Sequence, residues 1–257
     1  MQKTIPFKII KEIEAELKNR KIKTSLFLIE KIKTIGRKYS RTKDPKIKNT
    51  FNYLTQNLSL MPLESLKKEI SNKITTYKEI AYSTNQLRVL AAKIRNGTIM
   101  LVYGAPQNAI TSAKIAKSNK INFSVITADS GPEKLGRNAA EELAKSNIKV
   151  EHVPDFMIDN AVKRADFVVF EGYAALKDSI IADIGADKLA ALAKKHNIPS
   201  YCVMDIFSAD RTGILKEGDF EEGNTKKESL TIVNKTKSTV KMSDITATIT
   251  QLGILKS

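Results

Sequence analysis

Small and acidic residues recur where apolar runs end in the middle of this chain: Tyr103-Gly104-Ala105, Ala128-Asp129-Ser130-Gly131, Phe170-Glu171-Gly172 and Met204-Asp205. Residues of these types at strand ends can do chemistry. Gly104-Ala105-Pro106-Gln107-Asn108 leads into a helical segment, and backbone N–H groups there favour an anion while Gly lets a phosphate come close. The segment has neither the G-x-G-x-x-G fingerprint nor the Gly-Lys-Ser/Thr of a P-loop, so a plain tight turn is the other reading. Asp129 stands where an acid can hold ribose hydroxyls, and Asp129 or Ser130 can equally cap the next helix. Arg137, one turn into that helix, can reach a phosphate or lie on a solvated face. Asp178, Asp183 and Asp187 cluster after the fourth apolar run. Grouped carboxylates serve acid–base work or hold a metal, and acids in turns and first turns are also common without function. Tyr173 stands where a bulky ring can plug the mouth between these turns. His152 and His196 lack metal-ligand spacing and read as surface or capping residues. Cys202, the single cysteine, lies in an apolar run and reads as a buried, inert thiol. It excludes an internal disulfide framework and any multi-cysteine metal site.

The elements that must position these residues follow from periodicity. Thr98–Tyr103, Phe123–Ala128, Lys149–Val153, Phe167–Phe170 and Ser200–Met204 read as strands. Gln107–Ser118, Lys134–Ser146, Phe156–Lys163 and Asp187–His196 read as the intervening helices. That alternation predicts a parallel α/β sheet with right-handed crossovers, its ligands bound at the carboxyl ends of the strands. Beyond it, Lys216–Ser229 reads as a polar loop and Leu230–Val233 as a late strand. A final helix is expected, capped by Ser243 and closed by Gly253. There is no internal repeat and no low-complexity tail.

Residues 1–92 read as a separate helical domain. Leu28, Ile32, Ile35 and Tyr39 fall at helical spacing, as do Ile22, Leu26, Ile29 and Lys33. Tyr39 to Asn49 breaks the pattern at Asp44-Pro45. A short helix is expected from about Pro45 to Asn57, another from near Pro62, and a long one over Asn72–Ile94 that joins the halves and ends at Asn96-Gly97. The division is thus a basic helical domain over 1–92 and an α/β domain over 93–257.

The net charge of +15 belongs to the first domain, which holds 20 Lys+Arg against 8 Asp+Glu; residues 93–257 hold 23 against 20. Such a surface attracts nucleic acid or an acidic protein. The excess is Lys, with eight Arg in the whole chain, and Arg is the residue that reads phosphate and bases bidentately. The chain is also rich in Ile and Asn, so biased composition accounts for part of the lysine excess. Lys21, Lys23, Lys31 and Lys38 are the candidate partner-binding residues. No apolar run reaches the roughly 18 residues of a membrane span, and no secretory signal opens the sequence. A cytoplasmic protein with no cofactor is expected.

Several segments, in order, resemble one family. Leu135-Gly136-Arg137-Asn138-Ala139-Ala140-Glu141-Glu142-Leu143 is similar to the Gly-Arg-x-x-Ala-x-x-Leu helix of the regulatory (alpha, beta, delta) subunits of translation initiation factor 2B. The stretch from Leu189 to Pro199 resembles the family's approach to its last core strand, and Ile245 to Leu255 its carboxyl-terminal signature. The superfamily also holds ribose-1,5-bisphosphate isomerase and methylthioribose-1-phosphate isomerase. The resemblance implies a helical domain followed by a Rossmann-like parallel-sheet domain that self-associates as a homodimer or larger oligomer. It implies initiation factor 2 or related subunits as partners, and a phosphorylated sugar or nucleotide as candidate ligand.

The isomerases use a Cys after strand one, an Asp after strand four, and arginines on the sugar phosphate. Here Ala105 follows strand one, and Glu171-Gly172-Tyr173-Ala174 stands at the family's Gly-Ala-Asp. Ala182-Asp183-Ile184-Gly185 stands at its Asn-Lys-Ile-Gly, while Gly131 and Met61 stand at its arginines. Losing nucleophile, acid and phosphate ligands together disfavours isomerase activity. The expected role is therefore non-catalytic, regulatory or scaffolding, through protein–protein binding. The alternative is a sugar-phosphate isomerase or nucleotide-binding enzyme with a rearranged site, using Gly104, Asp129, Arg137 and Asp183.

Overall fold

The computed structural model describes residues 5–42, 44–131, 133–210, 213, 225–227, 229–232 and 235–256. The chain forms two compact units: Met1–Ser83 with Phe207–Ala209, and Thr84–Ile206 with Asp210–Ser257.

The first unit contains helices α1 (Ile5–Leu17), α2 (Ser25–Tyr39), α3 (Pro45–Thr55) and α4 (Leu63–Ala81). Thr24 Oγ1 accepts from Phe27 N at 3.3 Å and starts α2. Asp44 Oδ1 accepts from Lys46 N at 2.8 Å and starts α3, with Pro45 at the first helical position. Leu28 and Ile32 are fully buried with Ile9, Ile13, Leu54, Leu66 and Ile70, each contributing about 1.5–3 kcal/mol of burial. Of the second expected stripe, Ile22 is buried in this core and Ile29 packs partly against it, while Leu26 is 57% exposed. Nor does one helix run from Asn72 to Ile94. It breaks at Tyr82-Ser83-Thr84 into α4 and α5 (Asn85–Ala91), where Ser and Thr favour local side-chain bonding over helix continuation.

The second unit is a sheet covered on both faces. The strands are β1 (Ile99–Val102), β2 (Ser124–Ala128), β3 (Lys149–Val153), β4 (Phe167–Ala175), β5 (Ser179–Asp183), β6 (Ser200–Met204), β9 (Lys237–Lys241), β10 (Ala247–Thr250) and β11 (Gly253–Lys256). The order is β11-β10-β6-β4-β1-β2-β3, with β5 and β9 off this path. The pairs β1–β2, β1–β4, β2–β3, β4–β6 and β6–β10 are parallel. β1 is an unbroken apolar run because both its faces are covered. Met100 and Val102 pack with α5, α6 (Gln107–Ser118) and α7 (Leu135–Ala144). Leu101 packs with α8 (Ile158–Arg164) and α9 (Ala186–Lys195).

Four features differ from expectation. β4 runs on past Phe170 to Ala175 and turns back antiparallel as β5, which β9 extends. The expected helix from Ser243 to Gly253 is instead a short 3-10 turn, Met242–Asp244, followed by the β10–β11 hairpin. The β-branched run Thr246 to Thr250 fits a buried strand better than a helix. Most of the expected 216–229 loop lies outside the described residues, but Thr225–Lys227 is a strand, β7. It pairs with β8 (Leu230–Ile232); Val233 lies outside the described residues.

Candidate functional site

The sheet's winding reverses between β1 and β4, which is where an open α/β sheet offers a crevice. Gly104, just past β1, has φ +74°, a conformation glycine adopts without strain. A Cβ built on it would lie 2.7 Å from Asp183 Oδ2. The absent side chain therefore lets a carboxylate, supplied by the end of β5, rest on the turn. Asp183 is 8% exposed. Its Oδ1 accepts from Tyr173 Oη at 2.9 Å and from Lys237 Nζ at 2.9 Å, while the Lys237 ammonium lies 3.8 Å from the centre of the Tyr173 ring. Ser238 Oγ donates to the Asp183 carbonyl at 2.9 Å.

The turn amides that would grip an anion are already bonded. Gly104 N donates to Ser130 Oγ at 2.8 Å. Ser130 N and Gly131 N donate to Oδ1 and Oδ2 of Asp155 at 2.8 and 2.9 Å. Asp155 thus serves as a built-in anion for the β2 turn. Tyr103 Oη donates to the Ile184 carbonyl at 2.8 Å. The space enclosed by Ser130, Gly131, Glu133, Leu135, Asp183, Ile184 and Thr236 is about 10 Å³, at the lower limit for one water.

The remaining candidates do not converge here. The Asp129 carboxylate meets His152 Nε2 at 3.0 Å, and His152 Nδ1 meets Thr127 Oγ1 at 2.9 Å. Thr127 is fully buried, so this hydroxyl–imidazole–carboxylate row presents no nucleophile. Neither Asp129 nor Ser130 caps α7 through its side chain. Arg137 is exposed and pairs along its own helix with Glu141 at 3.4 Å. Its neighbour Gly136 is structural: a Cβ there would lie 1.6 Å from the Ala128 carbonyl oxygen. Gln107 is exposed at the start of α6 and bonds Glu142. Asn108, in the same turn, is half-buried, and its carbonyl accepts from Ser112 Oγ at 2.7 Å. Asp178 is exposed before β5, and Asp187 lies in the first turn of α9. His196 pairs with Asp159 at 2.8 Å.

The two tyrosines of the mouth hold their protons tightly. Burial, then the charges of Asp155 and Asp183, push the Tyr103 hydroxyl above the ordinary tyrosine range. Burial and Asp183 do the same to Tyr173. Burial and Glu171 push up the Cys202 thiol, which is fully buried. Among the described residues, no three His, Cys, Asp or Glu side chains gather as a metal site, and no helix is long and apolar enough to cross a membrane.

Asp155 and Lys237 complete the cluster without having been singled out from sequence. Asp155 carried a signal, since it follows β3 at the same sheet end. Lys237, 54 residues from its partner, carried none.

In the helical unit Lys21 and Lys23 are exposed and, among the described residues, have no ion-pair partner. Lys31 Nζ lies 5.3 Å from the Phe27 ring centre. Lys38 is tied down instead, 2.9 Å from Glu12 Oε1.

Known proteins resemble this chain in sequence and in fold. Residues 142 positions long align at 27% identity with ribose 1,5-bisphosphate isomerase of Pyrococcus furiosus, covering 53% of this chain and 43% of that one. Translation initiation factor eIF2B subunit alpha of Dictyostelium discoideum is 27% identical over 194 residues, 67% of this chain and 60% of that one. The chain thus matches about two-fifths to three-fifths of the length of these relatives. The solved tetrameric eIF2B-beta2-delta2 complex from C. thermophilum contains a chain with the same fold, at TM-score 0.72 and 17% identity, over 96% of this chain and 83% of that one. A description of the initiation factor 2 subunit family fits residues 2–257, and the chain belongs to that family.

Proposed function

We propose that this chain is a non-catalytic subunit of the translation initiation factor 2B kind, regulating or scaffolding through protein–protein binding in the cytoplasm. One observation carries the reading: the turn amides of Gly104, Ser130 and Gly131 all end on the chain's own side chains. An incoming phosphate would have to displace Ser130 and Asp155, and would meet the Asp183 carboxylate. The relatives' descriptions support it, one being a subunit of initiation factor 2B and another a component of a tetramer of such subunits. By analogy this chain self-associates through its α/β domain and binds initiation factor 2 or related subunits. The basic residues Lys21 and Lys23, before α2, and Lys31 and Lys38, on it, supply part of that contact. Reversing the four to Glu is expected to weaken binding to purified initiation factor 2 and to flatten its salt dependence. Unchanged affinity and salt dependence would refute the role of these residues.

A second reading rests on the Asp183–Lys237 pair, an acid and an ammonium at the mouth of β1 in a chain similar to an isomerase. Here the site is a rearranged sugar-phosphate isomerase. Incubation with ribose 1,5-bisphosphate decides it: turnover that disappears in Asp183→Asn would overturn the non-catalytic reading.

A further inference from the structure

A second concavity lies at the opposite, amino-terminal end of the sheet, away from the mouth at the carboxyl ends of β1 and β4. It has a volume of about 860 Å³ and is lined by Val89, Lys93, Arg95, Asp166, Tyr201 and Ile254, among others. We infer that it binds an aromatic phosphate monoester, with the phosphate on Lys93 and Arg95 and the ring against Tyr201, Val89 and Ile254.

The charge pattern comes first. Among the described residues, neither Lys93 nor Arg95 is paired with a carboxylate. Lys93 Nζ donates to Tyr201 Oη at 3.1 Å and lies 4.2 Å from that ring's centre. Two of its three N–H donors are left for a ligand. Arg95 is exposed and offers a planar fork suited to phosphate. Asp166 is the one acid on the wall. Its Oδ2 accepts from Ile99 N at 2.7 Å, which ties it to the sheet.

Preorganisation comes second. Arg95 leads a turn pinned at both ends: Arg95 N donates to Thr98 Oγ1 at 2.9 Å and Thr98 N to the Arg95 carbonyl at 3.1 Å. Asn122 N donates to Asn96 Oδ1 at 2.8 Å, and Gly97 N to the Asn122 carbonyl at 2.8 Å. Tyr201 is held by an edge-on contact with Phe167, ring centres 5.9 Å apart. A fixed turn and a fixed ring keep low the ordering cost of binding.

Size and polarity come third. The volume falls within the ordinary range of small-molecule sites, roughly 300–1,000 Å³, and exceeds what inorganic phosphate fills. Ile254, 47% exposed, and Val89 give apolar walls that a bare anion would leave wet.

The test is calorimetric titration of the full chain at low ionic strength with phenyl phosphate and, separately, inorganic phosphate. Saturable binding of phenyl phosphate is expected, tighter than that of inorganic phosphate. Arg95→Gln and Lys93→Gln should each weaken it at least about tenfold. Arg95 is exposed, so its substitution leaves the fold intact; an unchanged melting temperature verifies this. No saturable binding below about 10 mM overturns the inference. So does equal affinity for the two anions, or binding that survives both substitutions and is lost in Asp183→Asn. A surface occupied by a second copy of the chain is the competing outcome. Sedimentation showing that Arg95→Gln dissociates an oligomer, with no phosphate effect, would establish it and overturn the ligand site.

Discussion

Replacing Asp183 with Asn separates a closed structural mouth from a working one. Asparagine keeps the shape and an oxygen for the Tyr173 hydroxyl, but leaves Lys237 without its anion. The two side chains retain only 11% and 21% of their exposure, with nitrogen and oxygen 2.9 Å apart. Removing one partner of a fully buried pair costs about 3–5 kcal/mol. The residual exposure of both groups, through which water screens the charge, lowers that to about 2 kcal/mol. In urea, with a slope of about 3 kcal/mol/M for a unit of this size, the unfolding midpoint of the sheet unit should fall by about 0.7 M. Adding Lys237→Met removes the stranded ammonium, so the double variant should recover at least about 1 kcal/mol. Far-UV circular dichroism of the wild type, both single variants and the double variant completes the cycle. If Asp183→Asn unfolds at the wild-type midpoint, or the double variant is no more stable than the single, the pair is not what closes the mouth.

Other substitutions test neighbouring steps. Gly136→Ala puts a methyl where the Ala128 carbonyl already stands, so α7 must leave the end of β2; a loss on the order of 3 kcal/mol or more is expected in the same urea assay. Asp159 is held down at about 2, first by Lys163 and then by His196. Because its folded value lies below its ordinary 3.8, the stability it contributes is present above about pH 4 and is lost as pH falls toward about 2. A carboxyl-carbon NMR titration should place its midpoint near 2 and move it up in Lys163→Ala; a wild-type midpoint near 4 would refute the assignment.

The parallel sheet was legible because strands buried on both faces must be apolar throughout, and Ile99 to Val102 and Phe167 to Phe170 are. Gly136 was legible as part of a motif, and the structure supplies the steric reason. What escaped was antiparallel or long-range. Ser243, in the turn before β10, and Gly253, at the start of β11, stand at positions that imitate a helix start and stop, while Thr246, Thr248 and Thr250 mark a strand only once β6 is seen beside them. β5 and β9 close on each other across more than fifty residues, so nothing local in Lys237 announces that it will meet Asp183.

Gly104 shows why residue type alone could not choose between the two readings of the mouth. A glycine with positive φ after a central strand lets something come close to the backbone, and sequence cannot say whether that is a ligand's phosphate or the chain's own carboxylate. Here it is Asp183, brought by β5. Asp155 at the next turn does the same for the amides of Ser130 and Gly131. Two internal carboxylates at the anion-binding end of a sheet make a phosphate's entry a displacement rather than a filling. Among the described residues, cations without an ion-pair partner lie elsewhere too, among them Lys21 and Lys23 on the helical unit and Lys93 and Arg95 at the far end of the strands. Binding that depends on charge is therefore expected at those surfaces before it is expected at the mouth.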